Sequence, residues 1–162
     1  MKSLILDLRG NSGGEIEEVA MIASLMVSEE GPYFTVTHKT KEPTVYGRTR
    51  KQVFSGPLFV LVNESTASSA ELLAEVLRDS GNAVIVGERT RGKGISQSFF
   101  YLESGNILKL TTGEFSVEGR QRIQGQGILP DHWISMHPQE AGDLQLNKAM
   151  ELATKKDGQL PI

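Results

Sequence analysis

Cysteine is absent from the chain, which excludes disulfides, thiolate nucleophiles and cysteine-ligated metals together, and leaves the redox compartment undefined. Histidine is scarce. His38, His132 and His137 lie far apart, and none falls in a His-x-x-x-His or His-Glu-x-x-His spacing that would set two zinc ligands on one helical face. Basic charge is not in excess either: 17 Lys and Arg against 20 Asp and Glu give a net charge of −3, so the footprint of a nucleic-acid binder is missing. No apolar run approaches the roughly 20 residues that span a bilayer. Met1-Lys2-Ser3 enters the strand-like Leu4-Ile5-Leu6 without the charged, apolar and small-residue regions of a signal peptide. The expectation is a cytoplasmic protein or a piece of a longer chain. What is present is 38% hydrophobic residues over 162 positions, enough for one domain with a real core.

The order of patterns is that of an α/β protein. Leu4 to Leu8 (LILDL) reads as a strand buried on both faces. A glycine-rich turn, Arg9 to Gly14, follows, and then Ile16, Val19, Ala20, Ala23 and Val27 recur at helical spacing behind Glu15, Glu17 and Glu18, acids that favour a helix N-terminus. Tyr33 to Phe54 is polar with partial alternation and suggests an exposed hairpin or edge strands. Pro57 to Val62 (PLFVLV) is a second buried strand, Ala70, Leu73, Ala74 and Leu77 mark a helix closed near Gly81, and Ala83 to Val86 is a third strand. Such alternation implies a mostly parallel sheet with flanking helices and right-handed crossovers. Past Gly94, Phe99 to Leu102 and Ile107 to Leu110 flank Ser104-Gly105-Asn106, the signal of an antiparallel hairpin in the C-terminal half. Gly119 to Gly127 is a loop, and Leu144 to Leu152 is an amphipathic helix with Leu146, Met150 and Leu152 toward the core. The domain is expected to occupy residues 1–155, with 156–162 as a tail.

Reactive groups collect after three of the strands, at the edge where open α/β sheets bind ligands. Gly87-x-x-x-x-Gly92-Lys93 is most of a phosphate-binding loop, but Gly94 stands where Ser or Thr must bind Mg²⁺ and a strand, not a helix, follows, so no nucleotide is expected. Lys93 is then either a solvated lysine or a desolvated amine able to take a proton from a hydroxyl. Ser68 also has two readings. Ser68-x-x-Glu71 ahead of an apolar helical run is a capping box, and a serine opening a helix just after a buried strand is also where unrelated hydrolases place a nucleophile. The Gly10 to Gly14 turn is either a tight connection needing positive φ or half an oxyanion hole.

Together, residues 4–14 (LILDLRGNSGG), 62–71 (VNESTASSAE), 86–94 (VGERTRGKG) and 125–131 (GQGILPD) resemble, in order and spacing, the carboxyl-terminal processing peptidases, the family of the bacterial tail-specific protease and of the enzyme that trims the D1 precursor of photosystem II. The resemblance implies a crotonase/ClpP-like α/β fold and a serine endopeptidase that cuts near the C-termini of protein or peptide substrates without cofactor or metal. It makes Ser68 the nucleophile and Lys93, 25 residues on, its base. It places the lysine-orienting glutamine at Gln97 and the oxyanion donors at the N–H groups of Ser69 and of Gly13 or Gly14. Arg9, Glu71 and Asp79 match supporting positions, although Asp79 is equally suited to a turn bond at its helix end. Ser12 departs from the proline more usual in the family turn. Relatives carry a PDZ domain that captures substrate C-termini by strand addition, and work outside the cytoplasm, in the periplasm or cell envelope. A homodimer stays open, as does a non-catalytic peptide-binding module on the same fold, against which the retention of Ser68, Lys93 and Gln97 argues.

Overall fold

The structure, a computed structural model, describes residues 2–136 and 142–157; His137 and residues 158–162 of the expected tail lie outside them. The elements run β1 (Leu4–Asp7), α1 (Ile16–Ser24), β2 (Pro32–His38), β3 (Thr44–Gly47), β4 (Leu58–Val62), α2 (Ser69–Gly81), β5 (Val84–Gly87), β6 (Ile95–Tyr101), β7 (Ile107–Ser116), β8 (His132–Trp133) and α3 (Leu144–Asp157). They form a parallel sheet of order β1-β4-β5-β8 and an antiparallel sheet of order β3-β2-β7-β6. The α/β expectation holds, with the antiparallel part larger than the C-terminal hairpin alone because β2 and β3 join it.

β4 explains the layering. All five of its residues are buried, and a strand sends successive side chains to opposite faces. Leu58, Val60 and Val62 enter a core shared with Val19, Ala20 and Ala23 of α1 and Leu72, Val76 and Leu77 of α2. Phe59 and Leu61 enter a second core with Val86 and Ala149, flanked by Leu146 and Leu152 of α3. A continuous apolar run is what a strand covered by helices on both faces requires. β1 departs from the expectation, since it lies at the sheet edge and its leucines and isoleucine are half-buried rather than sealed.

Three further expectations are corrected. β2 is an inner strand with Tyr33, Phe34 and Val36 buried, and only β3 forms the edge of that pair; a bulge between Pro32 and Phe34 puts two neighbouring aromatics inside and spoils the alternation. Phe34 stacks on Tyr46 across it, centroids 4.7 Å apart. On α3, Ala149 is fully buried and Met150 is 50% exposed, so the buried stripe is turned by one residue. α3 also continues through Asp157, past the expected core boundary.

The register Asp7↔Leu61 and Val62↔Gly87 brings the carboxyl ends of β1, β4 and β5 level, so the loops after them open on one edge. Arg9, leaving β1, ties that edge to α3. Its guanidinium donates to Asp143 Oδ1 and Oδ2 at 2.8 and 2.7 Å, to both Asp7 oxygens and to the Gln145 side chain at 3.3 Å. Asp143 Oδ1 also accepts the Leu146 N–H at 2.9 Å, capping α3. Hydrogen bonds from Arg9 hold the carboxyls of Asp7 and Asp143 below the usual carboxylate range. A depressed carboxyl contributes stability above its unfolded value and loses it as pH falls. Arg9→Met is therefore expected to cost about 1 kcal/mol, screening included, and urea melts should show that difference constant from about pH 5 to 8 and shrinking below about pH 4. A difference that grew on acidification would contradict this assignment.

Candidate active site

α2 begins at Ser69, and Ser68 before it has φ 59 and ψ −129. Among the described residues, Ser68 and Asn82 are the non-glycine positions of positive φ. Asn82 is an ordinary left-handed C-cap. Ser68 is not an ordinary N-cap, which takes extended backbone; its conformation costs on the order of 1–3 kcal/mol and is of the kind found at nucleophiles on sharp strand-to-helix turns.

What holds that conformation is Glu71. Its side chain is 0% exposed. Oε2 accepts the Ser68 N–H at 2.9 Å, the expected capping-box bond, and the Lys93 N–H at 2.8 Å. Oε1 accepts the Gly92 N–H at 2.7 Å and the Thr90 hydroxyl. One carboxylate thus binds the main chain at the serine and at the lysine. The loop carrying Lys93 is fixed from outside as well: Thr90 Oγ1 accepts the Ile128 N–H at 2.7 Å, Gln124 Oε1 accepts the Gly94 N–H at 2.9 Å, and the Arg91 N–H donates to Thr66 O at 3.0 Å.

The glycine turn after β1 packs directly on the serine. A Cβ on Gly13, at φ +94, would lie 2.8 Å from Ser68 Cβ, 2.8 Å from Ala67 O and 3.0 Å from Ser69 N. No larger residue fits, and the turn is stitched to the β4 loop. Asn63 Oδ1 accepts the Gly10 N–H at 3.0 Å, the Thr66 hydroxyl donates to Leu8 O at 2.8 Å, and the Ala67 N–H donates to Asn11 O at 2.9 Å. The amides of both candidate oxyanion glycines are engaged: the Gly13 N–H with Asn11 Oδ1 at 2.9 Å and the Gly14 N–H with Ser69 Oγ at 2.6 Å.

Ser68 and Lys93 face one open cleft of about 520 Å³, whose walls also include Gly13, Gly14, Tyr46 and Gln97. Lys93 is half-buried there, less enclosed than a fully desolvated amine. Gln97 is exposed on the same wall, at a bulge in β6. Arg9 and Asp79 make their bonds elsewhere, Arg9 to α3 as described, and Asp79 to Arg120 Nε at 2.6 Å rather than to its own helix end. Nothing in the sequence pattern singles out Thr90, Asn63 or Gln124 as site residues. For Asn63 the pattern Asn-x-Ser-Thr after a strand is a turn signal; for Thr90 and Gln124 the partners are distant in the chain and leave no local trace.

The sequence pattern of peptidase family S41 matches residues 1–134. The chain belongs to this family. The S41 chain is 35% identical over 157 residues to the carboxyl-terminal-processing protease of Picosynechococcus, covering 93% of this chain and 38% of that protein. It is 34% identical over 129 residues to the carboxy-terminal processing protease CtpA of Bacillus subtilis, covering 80% of this chain and 28% of the other. Among solved structures, a photosystem II D1 C-terminal processing protease superposes with a TM-score of 0.74 at 31% identity, over 83% of this chain and 35% of that one. The chain therefore spans well under half the length of these relatives.

Strain at Ser68 gives a stability test. Ser68→Gly removes the Cβ that makes this backbone costly, whereas Ser68→Ala keeps it. The glycine variant is expected to melt about 2–4 °C above the alanine variant, the shift for roughly 1 kcal/mol in a domain of this size. Equal melting temperatures would show the serine to be unstrained.

Proposed function

We propose that this S41 chain is the catalytic core of a serine endopeptidase that cleaves protein substrates near their C-termini, with Ser68 as nucleophile and Lys93 as general base. The observation that carries this reading is the Glu71 carboxylate, one oxygen of which binds the N–H groups of both residues while their side chains face the same cleft. In the acylation step the free amine of Lys93 takes the Ser68 hydroxyl proton as Oγ attacks the peptide carbonyl, and the resulting ammonium returns that proton to the departing amine. Water then attacks the Ser68 ester as Lys93 accepts its proton, and the ammonium gives that proton to Ser68 Oγ as the ester bond breaks and the acid leaves, restoring hydroxyl and free amine. Charge on the tetrahedral oxygen is met by the Ser69 N–H at the start of α2 and by the Gly14 N–H once it leaves the Ser69 hydroxyl. A bound substrate covers the cleft and completes the burial of Lys93, which an open site leaves partial. Gln97 on the cleft wall is the group available to orient the amine.

The relatives named as carboxyl-terminal-processing proteases support the position of the cut, and chloroplastic members among them support a site of action outside the cytoplasm for the whole protein. The length of those relatives beyond the shared region supports a separate module, such as a PDZ domain, for capturing substrate ends.

Lys93→Arg is the sharpest substitution, because a guanidinium keeps its charge and cannot serve as a base. Casein cleavage by the full-length protein is expected to fall by about 10²–10⁴-fold in Lys93→Arg and to vanish in Ser68→Ala, with folding intact in both. Normal proteolysis in either variant would remove the dyad, and a protein that bound peptide but never cleaved it would be the non-catalytic module.

A further inference from the structure

The cleft that holds Ser68 and Lys93 carries charge of both signs, and the two signs lie on different parts of its wall. Its acids are Glu15 and Glu17, at the start of α1. Glu17 accepts the Tyr46 hydroxyl at 3.3 Å, which sets it beside the rung where β3 pairs with Phe34. The other basic groups of the wall are His38, Lys41 and Lys109, and the peptidase reading uses none of them. Strand pairing brings them together. His38 ends β2, and its Nε2 lies 3.0 Å from Thr44 Oγ1 at the start of β3, closing the turn that carries Lys41 about 7 Å further along this pair than Tyr46. The Lys39 N–H donates to Thr112 O at 3.4 Å, so β2 runs on beside β7 past the pair His38↔Gly113, and the turn heads toward the Lys109 end of that strand. Lys109 stands opposite Phe99 of β6 with its Nζ 5.1 Å from the ring centre. Strand rise sets it about 10 Å along the wall from Ser96, the partner of Gly113.

These lysines keep their charge unmatched. Among the described residues the ion pairs include neither Lys41 nor Lys109. Glu114 of β7 is held by the Arg122 guanidinium at 2.7 Å, and Glu42, next to Lys41 in the chain, does not line the cleft. The chain as a whole has a net charge of −3, so this basic end is a local feature and not a sample of a basic surface. From this we infer that the basic end of the cleft is a subsite for a substrate carboxylate, bound by Lys41 and Lys109 a few residues away from the bond that Ser68 attacks. The inference rests on the peptidase reading and adds selection by charge within the catalytic core itself. An ammonium is a point charge with rotatable donors, so the pair reads negative charge rather than the shape of the group that bears it. An Asp or Glu side chain and the terminal carboxylate of a peptide offer it the same chemistry. Glu15 and Glu17 repel that charge from their own part of the wall, which fixes where along the cleft it can sit.

The test uses full-length protein carrying Ser68→Ala and decapeptides of serine and alanine labelled with fluorescein at the N-terminus, read by anisotropy. One glutamate is moved through the peptide position by position with glutamine as its control, and each peptide is made as free acid and as terminal amide. A carboxylate at the matching position is expected to tighten binding about tenfold, an advantage that fades at about 1 M salt. Lys41→Gln with Lys109→Gln should bring that ratio near one, and Lys41→Glu with Lys109→Glu should turn it in favour of a lysine peptide. Each ratio is taken within one protein, so a loss of folded material does not alter it. A glutamate preference erased by the variants assigns the subsite to an acidic side chain, and an acid-over-amide preference erased by them assigns it to a chain end. Equal binding of all peptides, no binding, or a carboxylate preference that survives both variants overturns the subsite. Cleavage by the unsubstituted protein judges the serine-lysine dyad separately, so flat ratios beside intact, Ser68-dependent proteolysis remove the subsite and leave the peptidase.

Discussion

A buried carboxylate held by main-chain donors organises this molecule. Glu71 lies at the start of α2, fully enclosed, and among the described residues its partners are main-chain N–H groups and a hydroxyl. Enclosing a carboxylate costs several kcal/mol. Four donors offset that, three main-chain N–H groups and the Thr90 hydroxyl, each bond to a charged acceptor contributing about 1.5–3 kcal/mol. One donor lies on the turn of Ser68 and the other three on the loop that carries Lys93, so the same carboxylate fixes both segments relative to each other.

The cost at Ser68 has the same logic. A positive φ at a non-glycine residue persists where its surroundings over-determine it, and here Glu71 holds the amide below while Gly13 presses on Cβ from above. The price is a glycine that tolerates no side chain and a turn stitched by Asn63 and Thr66. On the side of the glycine turn, the Gly14 N–H is held by the Ser69 hydroxyl.

Much of this was legible in the residues. β4 and the helices on either side follow from a five-residue apolar run between helical periodicities, and the capping-box bond of Ser68 and Glu71 follows from their spacing. The other three bonds of Glu71 do not, because they join residues about twenty positions apart through tertiary packing. The bulge in β2 hides its alternation, so its sequence pattern is that of an exposed segment, and β8 leaves no pattern because two residues carry no period. A one-residue rotation of α3, Ala149 for Met150, lies within what a short and weakly amphipathic pattern leaves undetermined. Family membership came from four segments in order, which local physics alone would have left as separate ambiguities.

The direct test of the clamp is hydrogen exchange at the Ser68 and Lys93 amides, followed by nuclear magnetic resonance in the parent protein and in Glu71→Leu. A leucine side chain of similar volume offers no acceptor to the pair of N–H groups that one carboxylate oxygen now holds. Both amides are expected to exchange slowly in the parent and to lose protection together in the variant, while the β4 amides stay protected. Loss at Ser68 with Lys93 still protected, or no loss at either, would show that something other than Glu71 holds together the loops that carry Ser68 and Lys93.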